Sequence, residues 1–67
     1  MSIVKVIEVI ASSDKGWAAA AQTAVDEAGK TVKNIKHFYV ESMTATVDDV
    51  KIKEYRINGK ISFVVGD

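Results

Sequence analysis

Apolar residues crowd both sides of the chain near its start, step by three and four through its middle and alternate with a period of two near its end. Residues 2–10 (SIVKVIEVI) put Val4, Val6, Glu8 and Ile10 on one side of a strand and Ile3, Lys5, Ile7 and Val9 on the other. A strand with apolar residues on both sides is covered on both sides. Residues 11–14 (Ala-Ser-Ser-Asp) interrupt the pattern and offer N-cap side chains. A helix from about Asp14 to Lys33 is predicted next, because Trp17, Ala21, Ala24, Ala28 and Val32 fall on one face. Asp26 and Lys30 sit at the favourable i,i+4 spacing. Lys30 and Lys33 suit the negative end of the helix dipole, and Asn34 is a stop signal.

Residues 35–46 (IKHFYVESMTAT) read as a second strand, with Ile35, His37, Tyr39, Glu41 and Met43 on one face and Lys36, Phe38, Val40 and Ser42 on the other. Val47-Asp48-Asp49 reads as a turn. Over residues 50–65, Tyr55, Ile57, Ile61, Phe63 and Val65 form an apolar face that includes Gly59, and Glu54, Arg56, Asn58, Lys60 and Ser62 form a polar one. Asn58-Gly59 carries a hairpin signal. The alternative is one long strand in which Gly59 marks a bend or a close backbone contact. The order is strand, helix, strand, strand, in a single domain over residues 1–67.

One helix covers one face of such a sheet, so the apolar members of the other face require a partner. Length sharpens the point, since one core in 67 residues rarely supplies more than about 3–5 kcal/mol. There is no Cys and only one His, which excludes disulfides and any thiolate or His-rich metal site within one chain. Oligomerisation is the remaining stabiliser. Net charge is zero, with 9 basic and 9 acidic residues, and no basic face points to nucleic acid or to an anionic membrane. The opening residues lack the order of a signal peptide, and no apolar run approaches a membrane span, so a cytoplasmic protein is expected.

Candidate chemistry is sparse. His37 lies in no recognisable nucleophile arrangement, and there is neither a GxGxxG nor a Walker loop. Asp48-Asp49 reads as a turn and Asp26-Glu27 as a solvated helix face. Trp17 and Met43 read as packing residues. His37 and Arg56 are the candidate ligand contacts: an imidazole can stack on a ring, and a guanidinium can bind an anion or stack. The competing reading for both is an ordinary polar face with interface hydrogen bonds.

The opening KVIEVI with its following serines, the helix GWxxAAxxAVxxAxxTVxNI and the final YRIxxKxSF resemble the dodecins along almost the whole chain. The resemblance implies an α+β fold: a β-α-β-β protomer whose three-stranded antiparallel sheet wraps around one helix, assembled as a hollow homododecamer. It also implies that residues 50–65 form one continuous strand. Flavin-binding dodecins hold paired flavins between symmetry-related tryptophans early in the second strand, and a Gln of the third strand hydrogen-bonds the isoalloxazine edge. Here His37 stands at the Trp position and Arg56 at the Gln position. Imidazole has a smaller π-face than indole, and Arg donates but cannot accept. Opposed copies of Arg56 would repel unless an anion or a carboxylate such as Glu54 or Glu41 intervened. The expected function is a non-enzymatic shell that binds or sequesters FMN, riboflavin or a similar ligand, weakened or altered by His37 and Arg56. The alternative is a flavin-independent structural or calcium-binding assembly, with Glu41, Asp48 and Asp49 as cation contacts. Coenzyme A binding, implied for some dodecins, falls on no identifiable residues.

Overall fold

The computed structural model describes residues 3–66. Ser2, which the alternation includes in the first strand, lies outside the described residues. The elements are β1 (Ile3–Ser13), α1 (Trp17–Ala28), β2 (Ile35–Asp48) and β3 (Lys51–Val65). They form an α+β, β-α-β-β fold with one antiparallel sheet in the order β1-β3-β2. The helix returns the chain across the sheet, so β1 and β2 run the same way with a gap between them. β3 fills that gap antiparallel to both.

The predicted helix shortens at both ends for local reasons. Ser13 Oγ accepts a hydrogen bond from Lys15 N–H at 3.0 Å, which stabilises a turn rather than capping a helix. Gly16 then takes φ 129°, and α1 starts at Trp17 without a side-chain cap. After Ala28 the chain tightens into turns through Lys30 N–H to Glu27 O and Thr31 N–H to Ala28 O. Neither Lys30 nor Lys33 therefore lies in the last helical turn. Lys30 bonds Glu27 at 2.8 Å instead of Asp26, and this hydrogen bond raises its pKa above the ordinary lysine value. Asp26 accepts from Gln22. Asn34 does end the segment: it takes φ 63°, and its carbonyl accepts from Val64 N–H.

α1 packs on β1 and β3. Ala20, Ala24, Ile57 and Ile61 are the buried hydrophobic residues between them. Small helical residues let the helix lie close to the sheet, and Ala20 joins the predicted stripe.

β3 is continuous through Asn58-Gly59, as the family resemblance implied and against the local hairpin signal. Gly59 sits opposite Val40, with the neighbouring Phe38 ring lying against it. A Cβ built there would fall 2.5 Å from Phe38 Cε1 and collide with the backbone oxygen of Tyr39. The glycine thus marks a close approach of ring and backbone rather than a turn.

The actual turn is at Asp49 and Val50, which take φ 52° and 66° between the paired Asp48 and Lys51. Two positive φ values define a two-residue hairpin suited to Asn-Gly. Val50 is β-branched, and its left-handed conformation costs about 1–2 kcal/mol. β1 pairs with β3 no further than Ser13 opposite Tyr55. Beyond that point β2 and β3 continue as a two-stranded arm of about 12 Å.

Gly59→Ala is expected to lower stability by about 1–3 kcal/mol in chemical denaturation, because the added methyl overpacks. Replacing a strand glycine by alanine ordinarily stabilises. A neutral or stabilising Gly59→Ala would remove the close-approach explanation.

Candidate functional site

Directly paired residues of neighbouring strands share a face of the sheet. Tyr55, Ile57, Gly59, Ile61 and Phe63 face the helix side, and Glu54, Arg56, Asn58, Lys60 and Ser62 line the outer face. From β1, Val4, Val6, Glu8 and Ile10 join the outer face. Val4, Val6 and Ile10 are 62%, 56% and 71% exposed, so this face carries apolar side chains that no described residue covers.

β2 departs from simple alternation. Its pairing with β3 slips between Ile35 and His37 and again between Val40 and Ser42. Lys36 and Glu41 are the extra residues, and each bulge resets the phase. His37 and Tyr39 therefore stay on the outer face, whereas Ile35 and Met43 pair with Phe63 and Ile57 on the helix side. The predicted grouping of Ile35 and Met43 with His37 is corrected on this ground.

His37 lies opposite Ser62, and Arg56 lies opposite Thr44. Both belong to the outer face. Ser62 and Arg56 are six positions apart along β3, which is about 20 Å of extended strand. One chain places the two candidate residues on a common face but does not bring them together.

Their surroundings differ. His37 is exposed, with Tyr39 two positions along β2 and Lys60 opposite Tyr39. Tyr39 is 65% exposed, a second ring surface beside the imidazole that sequence reasoning passed over. Only the register shows that Lys60 accompanies it. Arg56 Nη2 lies 3.9 Å from Glu54 Oε1, so Glu54 is the carboxylate that offsets its charge, while Glu41 lies 3.9 Å from Lys60 Nζ. Such exposed pairs contribute little to stability. Between Arg56 and Lys60, the Asn58 Oδ1 is buried with no hydrogen-bond partner in the chain.

Trp17 is not a core residue, at 37% exposure. Its ring meets Tyr55 edge-on at 4.9 Å, and Nε1 donates to the Thr44 carbonyl oxygen at 2.9 Å. It ties the helix start to β2, and its indole edge is already engaged. Among the described residues no three of His, Cys, Asp and Glu converge on a metal position. Calcium takes about six to eight oxygens. Asp48 and Asp49 at the arm tip, with Glu41 back along β2, do not provide them within one chain.

A dodecin family model matches residues 3–66. The dodecin of Thermus thermophilus is 30% identical over 61 residues, 91% of this chain and 88% of that protein. A crystal structure of one of its variants superposes with a TM-score of 0.93 at 27% identity, covering 100% of both chains. The calcium dodecin of Mycobacterium tuberculosis is 36% identical over 63 residues, 94% of this chain and 89% of that protein. The crystal structure of that protein, described as having a novel calcium-binding site, gives a TM-score of 0.81 at 37% identity over 91% of this chain and 87% of its own.

Trp17→Phe keeps the ring contact but loses the hydrogen bond to Thr44, and is expected to cost about 0.5–1.5 kcal/mol in denaturation. It should leave any binding at His37 unchanged. Loss of ligand binding in Trp17→Phe with intact folding would return Trp17 to the site.

Proposed function

This chain belongs to the dodecin family, and on that premise we propose that it is a non-enzymatic, self-assembling shell that binds a small planar ligand of flavin type. The observation that carries the reading is the outer sheet face, where exposed Val4, Val6, Ile10 and Tyr39 surround polar positions including His37, Arg56 and the unpartnered Asn58 Oδ1. That face needs cover from other copies, and the separation of His37 from Arg56 supports a site completed at their junctions. A hollow homododecamer meets both requirements. His37 offers a stacking surface smaller than indole, and Arg56 donates to carbonyl oxygens or to an anion, with Glu54 beside it. The ligand is FMN, riboflavin or a similar ring system, held more weakly than by a Trp and Gln pair.

A second reading is favoured by the likeness to calcium dodecin: a flavin-independent assembly that binds calcium. Since one chain does not assemble enough oxygens, Glu41, Asp48 and Asp49 would have to combine with those of neighbouring copies.

In light scattering the chain should run as twelve copies of 7.3 kDa, about 88 kDa. FMN and riboflavin fluorescence should be quenched at tens of micromolar protein. His37→Trp combined with Arg56→Gln should tighten flavin binding about tenfold or more, since base stacking on an aromatic contributes about 1–3 kcal/mol. An assembly that quenches no flavin, before or after these substitutions, rejects the flavin reading. Calcium heat in calorimetry from that same assembly would favour the second one.

A further inference from the structure

Two apolar features have no partner among the described residues. The first is an open groove of about 370 Å³ between α1 and the free edge of β1, walled by Ile7, Val9, Ala11, Ala24, Ala28 and Val32. Glu27 also lines it, with Lys30 bonded to that carboxylate. The second is the β2–β3 arm. Val47, Val50 and Ile52 there are 66%, 93% and 53% exposed, and Val47 is paired with Ile52. An isolated two-stranded ribbon is marginally stable in water, so an arm with apolar side chains calls for a surface to rest on.

The arm cannot reach the groove of its own chain. It continues the sheet past Ser13 and Tyr55, while the groove lies back along β1 beside the second half of α1. β2 and β3 are continuous strands through the arm, and its one irregularity is the pairing shift between Thr46 and Val47, so the arm remains part of the sheet. We infer that the arm of one copy docks into the α1–β1 groove of another, with Val50 as the inserted side chain. This deepens the proposed assembly and rests on it.

Three observations favour a second copy as the occupant. Val50 holds φ 66°, where Gly or Asn fits without strain, and it is the most exposed of the large hydrophobic residues. A strained and exposed apolar residue persists where contacts outside the local turn compensate for it. Both surfaces are bordered by paired charges: Asp48, Asp49, Lys51 and Lys53 flank Val50, and the Glu27–Lys30 pair borders the groove, so a docked arm can exchange ion pairs with its rim. Finally, arm and groove are different surfaces of one chain, so the same contact can repeat from copy to copy and builds a closed ring where its rotation closes.

Absence of cysteine makes the test direct. The double variant Val50→Cys with Ala28→Cys, oxidised and run on a non-reducing denaturing gel, should give a ladder of covalent multimers. Each single variant should run as monomer. A dimer band in either single variant, showing like surfaces meeting, overturns the docking. So does an unlinked double variant that still sediments as the full assembly; in that case the shell itself stands. A wild-type chain of 7.3 kDa overturns both. Val50→Gly relieves the backbone and so preserves folding. It should nonetheless raise the concentration at which the assembly dissociates at least tenfold, and an unchanged dissociation overturns the role given to Val50.

Discussion

The architecture depends on a mismatch of lengths. α1 has 12 residues and spans about 18 Å. β3 has 15 residues and runs about 50 Å. One helix therefore covers part of one face of the sheet and none of the other. The described chain exposes 5012 Å², whereas a compact monomer of its mass exposes about 4,200 Å². Its radius of gyration is 13.7 Å against about 11 Å for a compact domain of this length. Both excesses arise from the outer face and the projecting arm.

Function follows from what the helix leaves uncovered. The outer face carries His37 and Arg56, which the strand register sets about 20 Å apart, and the proposed assembly would complete a ligand site between copies. The arm carries a strained valine away from its own core. In the proposed assembly, cover for the sheet, completion of a ligand site and relief of local strain have one physical source: another copy of the same chain.

Much of this was legible in the residues. Two apolar faces on residues 3–10 announced a missing partner, and the Trp17–Ala24–Ala28–Val32 stripe placed the helix. His37 and Arg56 both lie on the outer face of the sheet. Other features depended on tertiary context. The hairpin signal at Asn58-Gly59 yielded to Phe38, whose ring needs the space that a side chain would take. The turn read from Val47-Asp48-Asp49 falls slightly later, at Asp49-Val50, where no glycine marks the two left-handed positions. Bulges at Lys36 and Glu41 moved Ile35 and Met43 to the helix side, and no period-two count reveals them. The distance between His37 and Arg56 could be read only once the register was known.

The claim at the centre is that folding of this chain and its assembly are one equilibrium. Thermal unfolding followed by the fluorescence of the single Trp17 over a hundredfold range of protein concentration tests it most directly. If copies cover the sheet, the midpoint rises with concentration, because association stabilises only the folded chain. A midpoint independent of concentration, in a sample that remains monomeric throughout, would contradict the account.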